Sequence, residues 1–165
     1  LKRVDAIYPG TFDPVTNGHL DLIERSSRLF GKVIVAIVVN PQKDTLFSLE
    51  ERRSLLERSI PSGISNVEVD VFGGLLVDYA RQRGAGVILR GIRAVSDYEY
   101  ELQMALMNRR LEPTIETFFM LPAENYSYLS SRLVRELAAN AGSVEGLVPE
   151  LVARALETKY GRTSE

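Results

Sequence analysis

The chain has 165 residues, of which 45% are hydrophobic and 25% charged, and its net charge at neutral pH is -2. This length suits a single domain over residues 1–165, no apolar run approaches the ~20 residues that cross a bilayer, and there is no global basic field to hold nucleic acid. No cysteine and one histidine remove disulfides, thiolate chemistry and a His/Cys zinc site, so a bound polyanion must be small and held by local positive groups.

Taken in order, Leu1 to Tyr8 alternates charge with apolar residues and lacks the apolar stretch of a secretory signal, which leads us to expect a cytoplasmic location. Val4 to Tyr8 is the first expected strand. His19 to Leu29 is the first helix, with Leu20, Ile23 and Leu29 suited to its buried face and Gly31 stopping it. Lys32 to Val39 is continuously apolar and β-branched, as in a central parallel strand buried on both faces. Ser48 and Glu51 form a capping box opening a helix through Leu55 and Leu56. A strand over Val67 to Val71, a helix over Leu75 to Arg83 and a strand over Val87 to Leu89 follow, punctuated by Gly73, Gly74, Gly84 and Gly86. A second box, Ser96 with Glu99, precedes a helix over Tyr98 to Leu111, and Thr117 to Leu121 is the fifth strand. Helices over about Ser131 to Ala139 and Pro149 to Tyr160 flank Gly142, and the last few residues are expected to be loose.

Strands alternating with helices predict a Rossmann-like, doubly wound, five-stranded parallel sheet with helices on both faces. Ligands of such sheets bind beyond the carboxyl ends of the strands. The unusual residues fall there: Gly10 to His19 after the first strand, Asn40 and Lys43 after the second, and Gly73 and Gly74 after the third. Arg90, Gly91 and Arg93 follow the fourth and Pro122 to Ser131 the fifth, so five distant segments should converge on one rim.

In Tyr8 to His19 (YPGTFDPVTNGH), Gly10 allows close backbone approach and His19 stands where a helix begins, a place that favours an anion. Neither a G-x-G-x-x-G nor a Walker Gly-Lys-Ser/Thr is present there. Taken alone, Lys43 reads first as a solvated loop lysine, and Arg90 with Arg93 can be read as a structural pair facing Glu99 or Glu101. Arg90 ends an apolar strand, however, and its planar fork suits a phosphate. Asn125 to Arg132 gathers hydroxyls and backbone N–H groups at another helix start. Leu75, Leu76, Leu102, Met104 and Met107 are either core or the lining of an apolar channel.

These segments resemble the nucleotidyltransferases whose signature is His or Thr, any residue, Gly and His, here Thr16-Asn17-Gly18-His19, with a Ser-Ser tract before an arginine-bearing helix, here Ser130, Ser131 and Arg135. Leu89 to Asn108 (LRGIRAVSDYEYELQMALMN) and Tyr126 to Glu136 (YSYLSSRLVRE) are similar to the phosphopantetheine adenylyltransferase family over nearly the whole chain. That resemblance implies transfer of an adenylyl group from ATP to 4'-phosphopantetheine with Mg²⁺, giving dephospho-coenzyme A and pyrophosphate. It also implies a homohexamer, with coenzyme A as an inhibitor. Carried over by position, Thr11 and Phe12 contact ATP, Thr11 also reaches the acceptor, and His19 stabilises the transition state at the ATP. Lys43, Leu76 and Arg90 bind phosphopantetheine, with Lys43 and Arg90 sharing in catalysis. Gly91, Ile92, Arg93, Glu101 and Tyr126, Ser127, Tyr128, Leu129, Ser130, Ser131 and Arg132 bind ATP. Arg132 stands where relatives often carry a third small hydroxyl residue. A nicotinamide-nucleotide adenylyltransferase, the rival reading, would share the fold and the histidine motif but need an aromatic site for its pyridine ring. A scaffold that binds ATP without releasing pyrophosphate is a third reading.

Overall fold

The computed structural model of the chain describes residues 3–93 and 95–161, with the side chains of 95 and 96 excluded. The expected Ser96 cap and the expected loose end beyond 161 fall outside the described residues. The strands are β1 (Ala6–Gly10), β2 (Val33–Val38), β3 (Val67–Phe72), β4 (Val87–Gly91) and β5 (Glu116–Met120). Between and after them run α1 (Asn17–Leu29), α2 (Leu49–Ser59), α3 (Leu76–Gln82), α4 (Val95–Leu111), α5 (Ser131–Ala139) and α6 (Glu150–Lys159). A 3-10 turn at Glu124–Tyr126, which the periodicity does not announce, precedes α5.

All neighbouring strands are parallel, in the order β3-β2-β1-β4-β5, so the chain reverses its direction of winding between β1 and β4. Strand alternation sorts the core into two layers. Ala6, Tyr8, Val33, Val35, Ile37, Val87 and Leu89 face the side covered by α1, α2, α5 and α6. Ile7, Ile34, Ala36 and Ile88 face the side covered by α3. Burial of β2 on both faces makes it the continuous apolar run that the sequence shows.

β1 pairs with β2 through Gly10 but with β4 only at Ala6 and Ile7. Pro9 has no N–H to continue that ladder, so β1 and β4 part at their carboxyl ends and open a crevice at the switch point. Gly91 closes the packing beside it, since a Cβ there would lie 2.7 Å from Leu22 Cδ1 on α1.

The buried face of α1 differs from expectation. It comprises Leu22, Ile23 and Ser26, while Leu20 is partly buried and Leu29 is 61% exposed. Six residues beyond Ile23 is about 240° further round a helix, which turns Leu29 away from the sheet. The Ser48–Glu51 box forms as expected, with Glu51 N donating to Ser48 Oγ at 3.2 Å and Ser48 N to Glu51 Oε2 at 2.8 Å.

The loop from Thr11 to Thr16 is held by polar groups from three directions. Asp13, 2% exposed, accepts the Leu46 and Phe47 N–H groups, each at 2.9 Å. Arg135 of α5 donates to both the carbonyl and the carboxylate of Asp13, and Ser131 Oγ donates to Pro14 O at 2.7 Å. Arg52 of α2 donates to Thr11 O at 2.9 Å. Asp13→Ala would leave two N–H groups without their acceptor and the Arg135 guanidinium without its carboxylate partner, so we predict a loss of about 3 kcal/mol or more, read by urea unfolding. A loss below 1 kcal/mol, about the value of one ordinary hydrogen bond, would show that the loop does not depend on it.

Candidate active site

The histidine signature is a capping box at the start of α1. His19 N donates to Thr16 Oγ1 at 3.3 Å, and Thr16 N donates to His19 Nδ1 at 3.0 Å. Thr16 Oγ1 also lies 3.1 Å from Nδ1. Because Nδ1 accepts, the proton of the neutral ring sits on Nε2, leaving that N–H to donate to a ligand. The sequence suggests a helix field as the reason for neutrality. The structure supplies stronger causes: burial first, then the Arg93 cation, push the His19 pKa down to about 4. Phe12 and Tyr8 hold the ring, with centroids 5.0 and 6.4 Å away.

His19 lines a chamber of about 300 Å³ in the crevice, with walls from the ends of β1, β2, β4 and β5. Lys43 Nζ reaches across it to donate to Thr11 Oγ1 at 3.3 Å. Glu101 of α4 takes one edge of Arg90, from Nε at 2.7 Å and from Nη2 at 2.6 Å, while Nη1 lies 3.4 Å from Pro9 O. Burial opposes the charge on Arg90, but hydrogen bonding and attraction from Glu101 outweigh it and keep the guanidinium protonated. The free fork expected from sequence is thus half engaged: Glu101 orients it and Nη1 remains for a ligand. Arg93 donates to Leu129 O at 2.9 Å and pairs with Asp97 at 3.4 Å.

A second, mainly apolar chamber of about 340 Å³ adjoins the first and shares Pro9, Val38, Arg90 and Glu101 with it. Leu75, Leu76, Met104 and Met107 line it, which decides the choice between core and channel for these four. Leu102, 36% exposed, lies neither in the core nor in this lining. The segment after β3 enters through Gly74, so four of the five expected segments meet in the first chamber and the fifth reaches only the second.

Of the expected residues, Thr11, His19, Lys43, Arg90, Gly91, Arg93, Glu101, Tyr126 and Leu129 line the first chamber and Leu76 the second. Phe12 and Ile92 are buried beneath, 2% and 8% exposed, and have only backbone to offer. Ser130 Oγ caps α5 by accepting Leu133 N at 3.1 Å, and Ser131 is committed to Pro14. Ser127 and Tyr128 are exposed beside the cleft, and Arg132 pairs with Glu136 at 3.0 Å. Sequence reading missed Asp97 and Asn108. Asn108, 9% exposed in the apolar chamber, carries a signal in retrospect: an amide next to Met107 on the stripe with Met104. Among the described residues no group of three or more His, Cys, Asp or Glu is placed to cage a metal.

A cytidylyltransferase-like family model matches residues 7–137. The chain is 56% identical over 153 residues to a phosphopantetheine adenylyltransferase of Alkaliphilus metalliredigens, covering 93% of this chain and 97% of that protein. It is 54% identical to one of Desulfosudis oleivorans, covering 94% and 92%. The Plasmodium falciparum nicotinic acid mononucleotide adenylyltransferase, solved with NaAD, superposes with a TM-score of 0.69 at 14% identity over 95% of each chain, a likeness of fold.

The lone histidine makes its titration directly readable by long-range ¹H–¹⁵N NMR. We predict a midpoint near pH 4 and an Nε2–H tautomer from pH 5 to 8. The folded value lies below the ordinary 6.5, so the unfolded chain binds more protons between the two. The contribution of His19 to stability is therefore full above pH 6.5 and falls as pH drops toward 4. A midpoint at or above 6.5, or an Nδ1–H tautomer, would contradict the cap geometry.

Proposed function

The chain belongs to the phosphopantetheine adenylyltransferases, within the cytidylyltransferase-like nucleotidyltransferases, and on that premise we propose that it transfers the adenylyl group of ATP to 4'-phosphopantetheine, giving dephospho-coenzyme A and pyrophosphate, the penultimate step of coenzyme A synthesis. One observation carries this reading. A cationic chamber containing His19 meets an apolar chamber at Arg90, matching an acceptor with a phosphate head and a long, mostly apolar arm.

A phosphate monoester with a second pKa near ~6 is mostly a dianion at neutral pH and needs no general base. Lys43 and the Nη1 side of Arg90 hold this phosphate against the α-phosphorus, with Thr11 between them and the nucleotide. The acceptor oxygen forms a bond to the α-phosphorus in line as the bond to pyrophosphate breaks, and the electron pair leaves with pyrophosphate. His19 donates its Nε2–H to an α-phosphate oxygen, a bond that tightens as charge builds there. Arg93, the Phe12 backbone and the start of α5 hold the rest of the triphosphate, with the Tyr126 to Arg132 tract closing over the nucleotide. Leu76 and its neighbours sheath the arm.

The two carboxylates lining the first chamber, Asp97 and Glu101, are each engaged by an arginine. Such a donor set fits Mg²⁺ arriving on the triphosphate rather than in a protein cage, where it would neutralise the departing pyrophosphate. Tyr98, Leu102 and Leu106 form an exposed apolar stripe on α4, on a different face from the chamber-lining Met104 and Met107, and support assembly as a homohexamer. No described helix is long and apolar enough to cross a membrane. Coenzyme A, which contains the product's whole framework, would compete for both chambers.

Pyrophosphate release tests the reading. Pantetheine without its phosphate should give no adenylylated product, because it lacks the nucleophile. Arg90→Ala should raise the KM for 4'-phosphopantetheine tenfold or more, corresponding to ~1.5–3 kcal/mol, with that for ATP within a few-fold. His19→Ala should lower turnover by about 10²–10³ and leave both affinities within a few-fold. Rapid turnover of pantetheine, or near-normal turnover without His19, would refute the assignment.

A further inference from the structure

Arg52 lies behind the site rather than in it. It is 6% exposed, it does not line either chamber, and its Nε is the buried side-chain atom without a hydrogen-bond partner among the described residues. Its acidic neighbours are occupied: Glu51 pairs with Lys159, Glu57 with Arg53 and Asp13 with Arg135. Glu50 feels the Arg52 charge but is exposed and makes no ion pair with it among the described residues. A buried guanidinium so poorly compensated is costly to the unliganded fold, which calls for a gain elsewhere.

The one side-chain hydrogen bond it makes among the described residues identifies that gain. Arg52 Nη1 donates to the Thr11 carbonyl at 2.9 Å, drawing this oxygen toward α2 and away from the cleft that Thr11 lines. The C=O and the following N–H of a trans peptide point in opposite directions, so the Phe12 N–H is aimed toward the cleft. The ring of Phe12 is buried, leaving this N–H as what the residue can offer a ligand, and its φ of 48° is uncommon for a side-chain-bearing residue. We propose that Arg52 is a positioning residue for ATP: by fixing the Thr11 carbonyl it aims the Phe12 N–H at the nucleotide phosphates, and its own buried charge adds attraction from behind. This rests on the ATP-dependent reading above, but it does not depend on which acceptor is used.

The test compares Arg52→Met, which keeps length and apolar stem without charge or donor, with Arg52→Lys, which keeps both charge and one donor. ATP binding to the full chain is measured by calorimetry without acceptor, alongside thermal melting and the KM for 4'-phosphopantetheine. The Met variant should bind ATP about tenfold more weakly, keep the acceptor KM within about twofold, and melt at or above the wild-type temperature. The Lys variant should recover part of the ATP affinity. Three results would overturn the proposal: wild-type ATP affinity in the Met variant, equal losses for ATP and acceptor, or a Met variant that melts far below wild type, which would make Arg52 a structural residue. Wild-type protein that binds ATP but releases no pyrophosphate with 4'-phosphopantetheine would count against the proposed reaction and leave the Arg52 comparison intact.

Discussion

The loop that carries Thr11 and leads to His19 depends on the buried carboxylate of Asp13. It ties the Thr11 to Thr16 loop to the Leu46 and Phe47 N–H groups and, through Arg135, to α5. Thr11 at one end of that loop meets Lys43, and Thr16 at the other end caps α1 with His19. The crevice exists because Pro9 ends the β1–β4 ladder, and the loop fills its mouth in a single shape. Loop geometry is thus set by groups that need never touch a substrate, which is how a site reaches the sub-ångström placement that alignment catalysis demands.

The charges are arranged in the same spirit. Glu101 and Asp97 are held against Arg90 and Arg93, so the arginines are oriented before any ligand arrives and the unliganded chamber is spared bare mutual repulsion. His19 stays neutral because it is buried beside Arg93, and its Nδ1 is occupied by the cap. A neutral ring with a fixed Nε2–H suits an electrophile better than a base, and the dianionic acceptor needs no base. One local motif, Thr16 to His19, therefore starts a helix and selects a tautomer at once.

Much of this was legible in the sequence where a local pattern has one physical meaning. The run Lys32 to Val39 has the pattern of a doubly buried strand, which forms over Val33–Val38 with Val39 exposed, and Ser48 with Glu51 marks the helix start that the structure shows. The T-x-G-H spacing located His19, and the rule for strand ends gathered Lys43, Arg90 and Arg93 before any coordinates. What failed to show depends on contacts between distant residues. Leu29 is an exception, since its spacing of six from Ile23 already turns it about 240° round α1. Helix α4 carries one apolar stripe into the second chamber and another that is exposed, a division its sequence alone does not announce. The two serines of the tract also differ in a way the sequence does not show: Ser130 Oγ accepts Leu133 N and keeps its O–H to donate, whereas the O–H of Ser131 donates to Pro14 O. Asp13 and Arg52 gave no signal, since burial of a charge appears only once the loop and α2 are brought together.

The central claim is that the acceptor phosphate attacks the α-phosphorus directly, with His19 as donor and never as nucleophile. The stereochemistry at that atom tests it most directly. ATP made chiral at the α-phosphorus with sulfur in place of one oxygen, converted with 4'-phosphopantetheine, should give product with inverted configuration, the mark of a single in-line displacement. Retention would require two displacements through an adenylylated protein residue and would contradict the account.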